Sequence, residues 1–244
     1  MVPVVWLIYG LIIGSFLNVC IERIPKNQSI WYPASHCPKC RYVLKIKDLI
    51  PVLSYITLKG TCRCCANKIS LQYIVVETVN GVVYMLIGLT YGFSLEALLM
   101  CVLFSAILVL SIIDMKHMLL PTKIIVFCGS LGIIIRLCIS YNLGSVYPFL
   151  QACLGGVVGY ALLSFIFCAS SIFLKKEGMG FGDVRYLGMI GIFTSAYVAV
   201  YTLFIGCVIG SIYGIYQLYV TKESVPYPFG PFLTMGLIIA GLWL

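Results

Sequence analysis

Residues 95–114 read LEALLMCVLFSAILVLSIID, an apolar run that ends in a carboxylate. The run has about the 20 apolar residues that a helix needs to cross the hydrocarbon core of a bilayer. An ionisable side chain is costly at the edge of such a segment, and its presence there indicates a function. This stretch therefore predicts a membrane-spanning helix with a functional acidic residue, Asp114, at its end.

Further apolar stretches predict an all-α polytopic membrane protein. Hydrophobic residues make up 61% of the 244 residues, charged residues make up 10%, and the mean hydropathy is +1.07. This balance excludes an ordinary soluble domain. We expect about eight transmembrane helices, near residues 3–21, 72–91, 95–113, 123–140, 147–174, 184–194, 198–220 and 227–244. Seven is the alternative, because 184–220 has no clear breaker and makes two helices only through a tight turn near 194–197.

The basic residues predict how these helices are oriented. Of the 16 Lys and Arg residues, nine lie between positions 23 and 68, and alternation of the helices leaves only Arg136 on the opposite side. Short loops rich in Lys and Arg remain in the cytoplasm. We therefore expect both termini to lie outside. The net charge of +8 follows from this bias, and we do not expect nucleic-acid binding.

One hydrophilic insertion interrupts the apolar pattern and follows the first helix. It divides the chain into a first transmembrane helix (1–21), a cytoplasmic four-cysteine module (22–70) and a membrane bundle (71–244). A segment of this size is too small for a stable core of its own and needs an additional crosslink, such as a bound metal ion or a disulfide. The insertion holds five of the twelve cysteines, which can supply that crosslink.

The cysteines of the module have the spacing of ligands to a structural zinc ion. Cys37 and Cys40 form one C-x2-C pair, and Cys62 and Cys65 form a second. Two such knuckles present four thiolates to one tetrahedral ion. A cytoplasmic location keeps thiols reduced and disfavours disulfides. Cys64 is expected to stand outside the site, and a set of free cysteines is the alternative interpretation.

A second carboxylate, Asp183, follows the glycine-rich segment GMGFG at 178–182. Glycines leave the backbone bare, so an extended peptide can approach it closely. If Asp114 and Asp183 meet, they share one proton, because like charges at close range cannot both ionise. One carboxylate then activates a water molecule while its partner polarises a peptide carbonyl. Asp183 is the expected base, because it begins a helix whose N-terminus favours a negative charge.

The two aspartates also have simpler interpretations. Asp183 would cap the N-terminus of its helix, and Asp114 would be a solvated carboxylate paired with Lys116 or His117. A transporter that relays protons through buried carboxylates is one alternative function. A zinc-stapled assembly scaffold is another.

Small residues at regular spacing within the apolar stretches predict close helix packing. Glycines at such spacings let two helix backbones approach each other. The residues concerned are Gly155 and Gly159, and Gly206, Gly210 and Gly214.

The order and spacing of these motifs resemble those of the bacterial type IV prepilin peptidases, GxGD-type aspartyl proteases that also act as N-methyltransferases. The resemblance runs through nearly the whole chain. It is carried by GSFLNVCIERIP (14–25), CPKC (37–40), DLIPVLS (48–54), LKG (58–60), CRCC (62–65), Tyr73, Glu77, Asp114 with Pro121, GMGFGD (178–183) and PFGPF (228–232).

The resemblance implies a protein of the bacterial inner membrane that serves pilus, competence or type II secretion systems. It implies an endopeptidase that removes a short basic leader from prepilins or pseudopilins, after a glycine at the cytoplasmic membrane surface. Asp114 and Asp183 match the catalytic pair of the family. The chain departs from the family pattern at three positions outside this pair: Lys116, Thr122 and Thr61.

The resemblance also implies methylation of the new N-terminal amine, with S-adenosylmethionine as the methyl donor. The family associates this activity with the cysteine insertion and with the GSFLN segment. Asn18 and Gly60 are therefore candidates for the methyl-transfer region.

Overall fold

The computed structural model describes residues 2–174, 180–222 and 226–243. The first two residues of the predicted GMGFGD segment, Gly178 and Met179, lie outside these ranges, as do the basic residues Lys175 and Lys176. Within the described residues the chain is helical, with two isolated β-bridges in the cysteine module and no longer strand. The prediction of an all-α fold is confirmed.

The helices follow the apolar stretches of the sequence, and two short helical segments lie in the cysteine module. They are α1 (Val2–Arg23), α2 (Leu53–Thr57), α3 (Leu71–Tyr91), α4 (Leu95–His117), α5 (Thr122–Leu143), α6 (Tyr147–Leu174), α7 (Phe181–Phe193), α8 (Ala196–Thr221) and α9 (Gly230–Trp243), with a 3-10 turn at Ile46–Asp48.

The number of full-length spans differs from the prediction. Six helices of the described chain are long and apolar enough to cross a membrane: α1, α3, α4, α5, α6 and α8. The other two predicted spans are helices of 13 residues (α7) and 14 residues (α9). At 1.5 Å per residue each covers about 20 Å, against about 30 Å for the hydrocarbon core. The expected eight spans are thus six long helices and two short ones.

The tight turn expected near 194–197 separates α7 from α8. The helix α7 ends at Phe193, and Ser195 takes an extended conformation with φ −161° and ψ 171°. The Ser195 hydroxyl accepts a hydrogen bond from the N–H of Val198 at 3.4 Å. This serine N-cap satisfies a free N–H of α8, so the division of 184–220 into two helices is confirmed.

The chain forms two compact units, Met1–Ala97 and Leu98–Leu244. In the first unit, α1 packs directly on α3 through glycines. A Cβ atom on Gly10 would lie 2.8 Å from the Cα of Gly81, and one on Gly14 would lie 2.8 Å from the Cα of Glu77. Only glycine permits this backbone contact. The same compact unit thus contains α1, the module and α3. The division of the chain into three regions at residues 21 and 70 stays a prediction.

In the second unit, α7 is the central helix. Nine of its 13 residues are buried, and it packs against α5, α6, α8 and α9. A Cβ atom on Gly155 of α6 would overlap the carbonyl of Gly191, and one on Gly159 would lie 2.6 Å from the carbonyl oxygen of Leu187. The close packing predicted for these two glycines is therefore confirmed. It fixes the position of α7, whose first turn carries Asp183.

The glycines of α8 face α9 and the segment that leads into it. A Cβ atom on Gly206 would lie 3.3 Å from the Cα of Leu233, and one on Gly214 would lie 2.9 Å from the hydroxyl of Tyr227. Gly210 contributes its carbonyl, which accepts a hydrogen bond from Tyr227 at 3.0 Å. This packing sets the position of the first turn of α9.

The C-terminal end of α7 is held by Arg136 of α5. The guanidinium of this buried residue donates to the carbonyl oxygens of Phe193, at 2.5 Å, and Thr194, at 3.2 Å. The last carbonyls of a helix have no partner within the helix, and a cation there also suits the helix dipole. Arg136, the basic residue that the charge distribution predicted to lie on the outer side, thus caps one end of the central helix α7.

Candidate active site and metal centre

The first predicted carboxylate, Asp114, lies near the end of α4 and is 5% exposed. Its Oδ2 accepts a hydrogen bond from the backbone N–H of Gly230 at 2.8 Å. Gly230 is the first residue of α9, where a helix leaves its N–H groups without an internal partner. A Cβ atom on Gly230 would lie 2.8 Å from the same carboxylate oxygen. A Cβ atom at this position would displace the carboxylate oxygen, so glycine suits the close approach of this helix end to Asp114.

The second predicted carboxylate, Asp183, lies in the first turn of α7 and is 6% exposed. Its Oδ1 is buried and has no hydrogen-bond partner within the described part of the chain. Asp114 lies close enough to act on it electrostatically. The structure thus brings together two aspartates that are 69 positions apart in the sequence (183 minus 114).

Leu120, in the connection between α4 and α5, packs beside one glycine next to each aspartate. A Cβ atom on Gly182 would lie 2.9 Å from the Cβ of Leu120, and one on Gly230 would lie 3.4 Å from its Cδ2. The residue before Asp183 and the residue bonded to Asp114 therefore share one apolar neighbour. This packing sets the separation of the N-termini of α7 and α9.

The surroundings of Asp114 do not match the simpler interpretation of a solvated ion pair. Lys116 and His117 are exposed at the end of α4, whereas Asp114 is buried. A buried carboxylate requires a specific donor, and the backbone of Gly230 supplies it. The sequence singled out the PFGPF segment but assigned no contact to Gly230.

One departure from the family pattern, Thr122, has a partner in the structure. The guanidinium of Arg185 donates to the hydroxyl of Thr122 at 2.5 Å, and it lies 4.9 Å above the ring centre of Phe181. Cation–π contacts of this kind are favourable. Arg185 therefore joins the start of α5 to the first turns of α7, beside Asp183.

The four predicted metal ligands lie together in the module. The sulfur atoms of Cys37, Cys40, Cys62 and Cys65 all lie within 4.8 Å of one another. The Cys37–Cys65 and Cys40–Cys62 sulfur pairs are each 3.9 Å apart. Zinc–sulfur bonds of ~2.3 Å in a tetrahedron require sulfur separations of ~3.8 Å, so the donor set fits a zinc ion. Cys64 is exposed and lies outside the cluster.

The two knuckles share one local backbone structure. In the first, the N–H of Cys37 donates to the carbonyl of Tyr42 at 2.9 Å, and the N–H of Arg41 donates to the carbonyl of Cys37 at 2.9 Å. The second repeats both bonds around Cys62, at 2.8 and 2.9 Å, with Ala66 in the place of Arg41. Arg41 and Ala66 both have positive φ, 57° and 52°. Each knuckle is thus built by the few residues that contain its cysteine pair.

An ion pair attaches the second knuckle to the turn at Ile46–Asp48. The side chain of Asp48 is 1% exposed, and its Oδ1 lies 2.8 Å from both the Nε and a terminal nitrogen of Arg63. Its Oδ2 accepts the N–H of Lys45 at 3.1 Å. Burial opposes ionisation, but the bonds from Arg63 and Lys45 outweigh it and lower the pKa of Asp48. Asp48 is therefore a charged anchor for the residue next to Cys62.

The two methyl-transfer candidates have structural contacts that account for their residue types. Asn18 is 1% exposed; its amide donates to the carbonyl of Tyr73 at 3.2 Å and accepts from Gln72 at 3.4 Å, which ties α1 to α3. Gly60 has a φ of +67°, and a Cβ atom there would lie 2.9 Å from the hydroxyl of Tyr55. Neither contact identifies a binding site for a methyl donor.

Glu77 of α3 connects the DLIPVLS segment to the membrane helices of its unit. It is 7% exposed, and its Oε2 accepts the N–H of Val52 at 2.8 Å. Val52 has a φ of 61°, a conformation that is uncommon for a β-branched residue. An apolar groove of about 670 Å³ lies beside this contact, lined by α1, α3 and residues 46–53. Sequence reasoning included Glu77 in the family pattern without a role.

Comparison with known proteins establishes the family. Residues 8–91 match the bacterial peptidase A24 N-terminal domain, and residues 101–215 match the type IV leader peptidase family. The chain belongs to the type IV leader peptidase family, which confirms the resemblance carried by its motifs.

Full-length relatives match along almost the whole chain. It is 33% identical to the prepilin leader peptidase/N-methyltransferase of Pseudomonas putida, over 97% of this chain and 88% of the relative. It is 32% identical to the protein of the same name from Bacillus subtilis, over 97% of this chain and 92% of that relative. No solved structure matches the chain.

Proposed function

We propose that this protein is an aspartyl endopeptidase that removes the leader from prepilins or pseudopilins, with Asp114 and Asp183 as its catalytic pair. The observation that carries the proposal is that two buried carboxylates, from α4 and α7, lie close enough to interact electrostatically in a chain of the leader peptidase family. A pair of carboxylates that shares one proton supplies both a base and an acid for peptide hydrolysis.

The hydrogen bonds of the pair support one assignment of roles. Asp114 accepts an N–H at the N-terminus of α9, which stabilises its charged form. Backbone N–H groups at the start of α7 act on the Asp183 carboxylate, but its Oδ1 has no donor among the described residues, which favours the form that keeps the shared proton. Asp114 is therefore the base and Asp183 the acid. This reverses the expectation from the ends of α4 and α7 alone, because the sequence did not reveal the contribution of α9.

The reaction follows from these roles. Asp114 takes a proton from water as the water oxygen attacks the carbonyl carbon of the scissile bond, and Asp183 gives its proton to the carbonyl oxygen. When the tetrahedral intermediate collapses, Asp183 recovers a proton from one hydroxyl group. Asp114 passes its proton to the departing nitrogen, which becomes the new N-terminus of the mature pilin. The pair ends in its starting protonation state.

The cleavage proposal is tested with purified protein in detergent and a prepilin substrate. We expect a shortened product from the unmodified chain, and a loss of ~10²–10⁴-fold in rate for Asp114→Asn and for Asp183→Asn. Glu96→Gln, which changes another carboxylate of α4, serves as the matched control and should cleave normally. Full cleavage by either aspartate variant would contradict the pair. Ion flux without a cleaved product would favour a transporter instead.

We infer that the aspartate site and the cysteine module face the cytoplasm of a bacterial inner membrane, with both termini outside. The distribution of Lys and Arg supports this orientation. Alkaline phosphatase fused after residue 244 should be active, because this enzyme matures only outside the cytoplasm. An inactive fusion beside an active fusion in the loop after α1 would reverse the orientation.

We also propose that the protein methylates the new N-terminus with S-adenosylmethionine. The names of the curated relatives support this second activity. Cys37, Cys40, Cys62 and Cys65 would hold a zinc ion with no open ligand position, so the ion would stabilise the module and take no part in the chemistry.

Labelled methyl groups from S-adenosylmethionine provide the test of methylation. We expect label on the mature N-terminus, and loss of that label after Cys37→Ser combined with Cys40→Ser, while leader cleavage continues. Cys64→Ser is the matched control, because Cys64 lies outside the cluster. Methylation that survives loss of the Cys37 and Cys40 thiols would assign the module another role.

A further inference from the structure

Three side-chain hydroxyl groups from three different helices meet beside the candidate active site. The hydroxyl oxygen of Thr234 on α9 lies 2.6 Å from that of Ser111 on α4 and 2.7 Å from that of Tyr186 on α7. It also lies 3.1 Å from the carbonyl oxygen of Gly230. Tyr186 is fully buried, with 0% exposure. Thr234 is the common member of all three contacts.

The directions of these hydrogen bonds follow from the capacity of a hydroxyl group. A threonine hydroxyl has one proton to donate and two lone pairs to accept. The carbonyl of Gly230 can only accept, so the proton of Thr234 is donated to it. The two lone pairs then accept the protons of Ser111 and Tyr186. All three contacts of Thr234 are satisfied in this arrangement, and no second proton is needed.

The cluster lies one helical turn from each of the groups proposed for catalysis. Ser111 precedes Asp114 by three residues on α4, and Tyr186 follows Asp183 by three residues on α7. Residues at this spacing share one face of a helix. On α9, Gly230 receives the hydroxyl proton of Thr234 at its carbonyl and gives its own N–H to Asp114. The same three helices therefore carry both the aspartate pair and the cluster.

We propose that Thr234 is a positioning residue for peptide hydrolysis, and that its hydroxyl holds the first turn of α9 so that the Gly230 N–H stays on Asp114. This inference rests on the proposed peptidase function. The bonds from Ser111 and Tyr186 fix Thr234 against α4 and α7, so the position of the N–H donor and the position of Asp183 are set by the same hydroxyl. Thr234 acts through Gly230 and does not touch the scissile bond.

The test replaces the hydroxyl with a methyl group of similar size. Thr234→Val should lower kcat for prepilin cleavage by about tenfold with little change in KM, because Thr234 acts through Gly230 and does not touch the substrate. Thr234→Ser keeps the hydroxyl and should restore most of kcat. Tyr186→Phe removes one of the donors to Thr234 and should lower kcat by about threefold.

Thr202→Val on α8 is the matched control for this change. Thr202 is fully buried, and its hydroxyl has no hydrogen-bond partner in the described residues. The substitution is therefore chemically identical, yet it removes no bond of the cluster. We expect the rate of cleavage by this variant to equal that of the unmodified chain.

Hydrogen exchange of the Gly230 amide tests the inference independently of any catalytic activity. Exchange should be about tenfold faster in Thr234→Val, and unchanged in Thr234→Ser and Thr202→Val. Unchanged exchange in Thr234→Val would overturn the inference, even if its activity falls. Faster exchange with a normal kcat would overturn it as well. Failure of the unmodified chain to cleave any prepilin would refute the proposed function, while exchange would still decide whether Thr234 holds α9.

Discussion

The cysteine module and the aspartate site both hold a few side chains close together, but they do so over different lengths of chain. The sulfur pairs of the module join residues at most 28 positions apart, and each knuckle is formed by consecutive residues. The bond from Gly230 to Asp114 spans 116 positions and joins two helices. A local turn needs a ligand to complete it, whereas a distant contact needs helices that pack at one fixed separation. The two regions should therefore fail for different reasons.

Metal removal should have the largest effect, and it should be confined to the module. Structural zinc contributes about 10–16 kcal/mol to the folding of small zinc domains, and the four clustered cysteines join the two knuckles of the module. A chelator should therefore make the chain sensitive to protease within residues 22–70, with metal content falling in parallel. Cys64→Ser should behave as the unmodified chain does. A module that stays resistant without metal would remove the distinction between the two regions.

Gly230→Ala should damage the aspartate site and leave the module intact. The added Cβ atom would lie 2.8 Å from Oδ2 of Asp114 and 3.4 Å from Leu120, so the carboxylate has to move. A displacement of about 1 Å at a catalytic group costs about 100-fold in rate. The measurement is kcat for prepilin cleavage.

Gly241→Ala is the control for this substitution, because it lies on the same helix and a Cβ atom there meets nothing within 4 Å. It should cleave at the normal rate. Normal cleavage by Gly230→Ala would show that the close approach of α9 is not required.

Arg136→Met should destabilise the second unit through the far end of α7. The change leaves the carbonyls of Phe193 and Thr194 without their donor, at a cost of about 1–3 kcal/mol. The melting temperature in detergent should fall by about 3–8 °C. Lys123→Met removes an exposed cation from the same helix and should leave the melting temperature unchanged. Equal melting temperatures for the two variants would exclude a capping role for Arg136.

Asp48→Asn should have the smallest effect, because its partner Arg63 is half exposed. The side chain of Asp48 is buried, but asparagine keeps an oxygen acceptor for Arg63, and an ion pair with one solvent-exposed partner contributes about 1 kcal/mol or less. The rate of proteolysis within the module should rise by no more than about fivefold. A double-mutant cycle with Arg63→Met isolates the pair, and additive effects of the two substitutions would show that it contributes nothing.

The features that the sequence predicted are those with a local signal. Apolar runs gave the helices because burial in lipid requires about 20 apolar residues in sequence. The C-x2-C spacing indicated the four cysteines that lie together in the module, and the two isolated carboxylates stood out in apolar surroundings. Burial of Asp114 and Asp183 at helix ends agrees with these expectations.

The features that it missed depend on which helix ends meet in space. Gly230 approaches Asp114 from 116 positions away, and no local pattern encodes that contact. Pro231 gave a partial signal, since proline in the first turn marks the start of a helix and hence a free N–H at residue 230. Arg136 was placed by its charge alone, although its guanidinium bonds to the end of α7. Tertiary packing decides such contacts.

The short length of α7 bears on how water reaches a peptide bond. Its 13 residues extend over about 20 Å, so this helix fills only about two thirds of a ~30 Å hydrocarbon layer. Protein surrounds α7 and buries nine of its 13 residues, so its short length is accommodated by neighbouring helices and not by lipid. One end of α7 carries Asp183, and Arg136 binds the last carbonyls at the opposite end. We therefore expect at least one end of α7 to lie below the membrane surface, and the proposed hydrolysis then requires water to reach Asp183 from its own end of the helix.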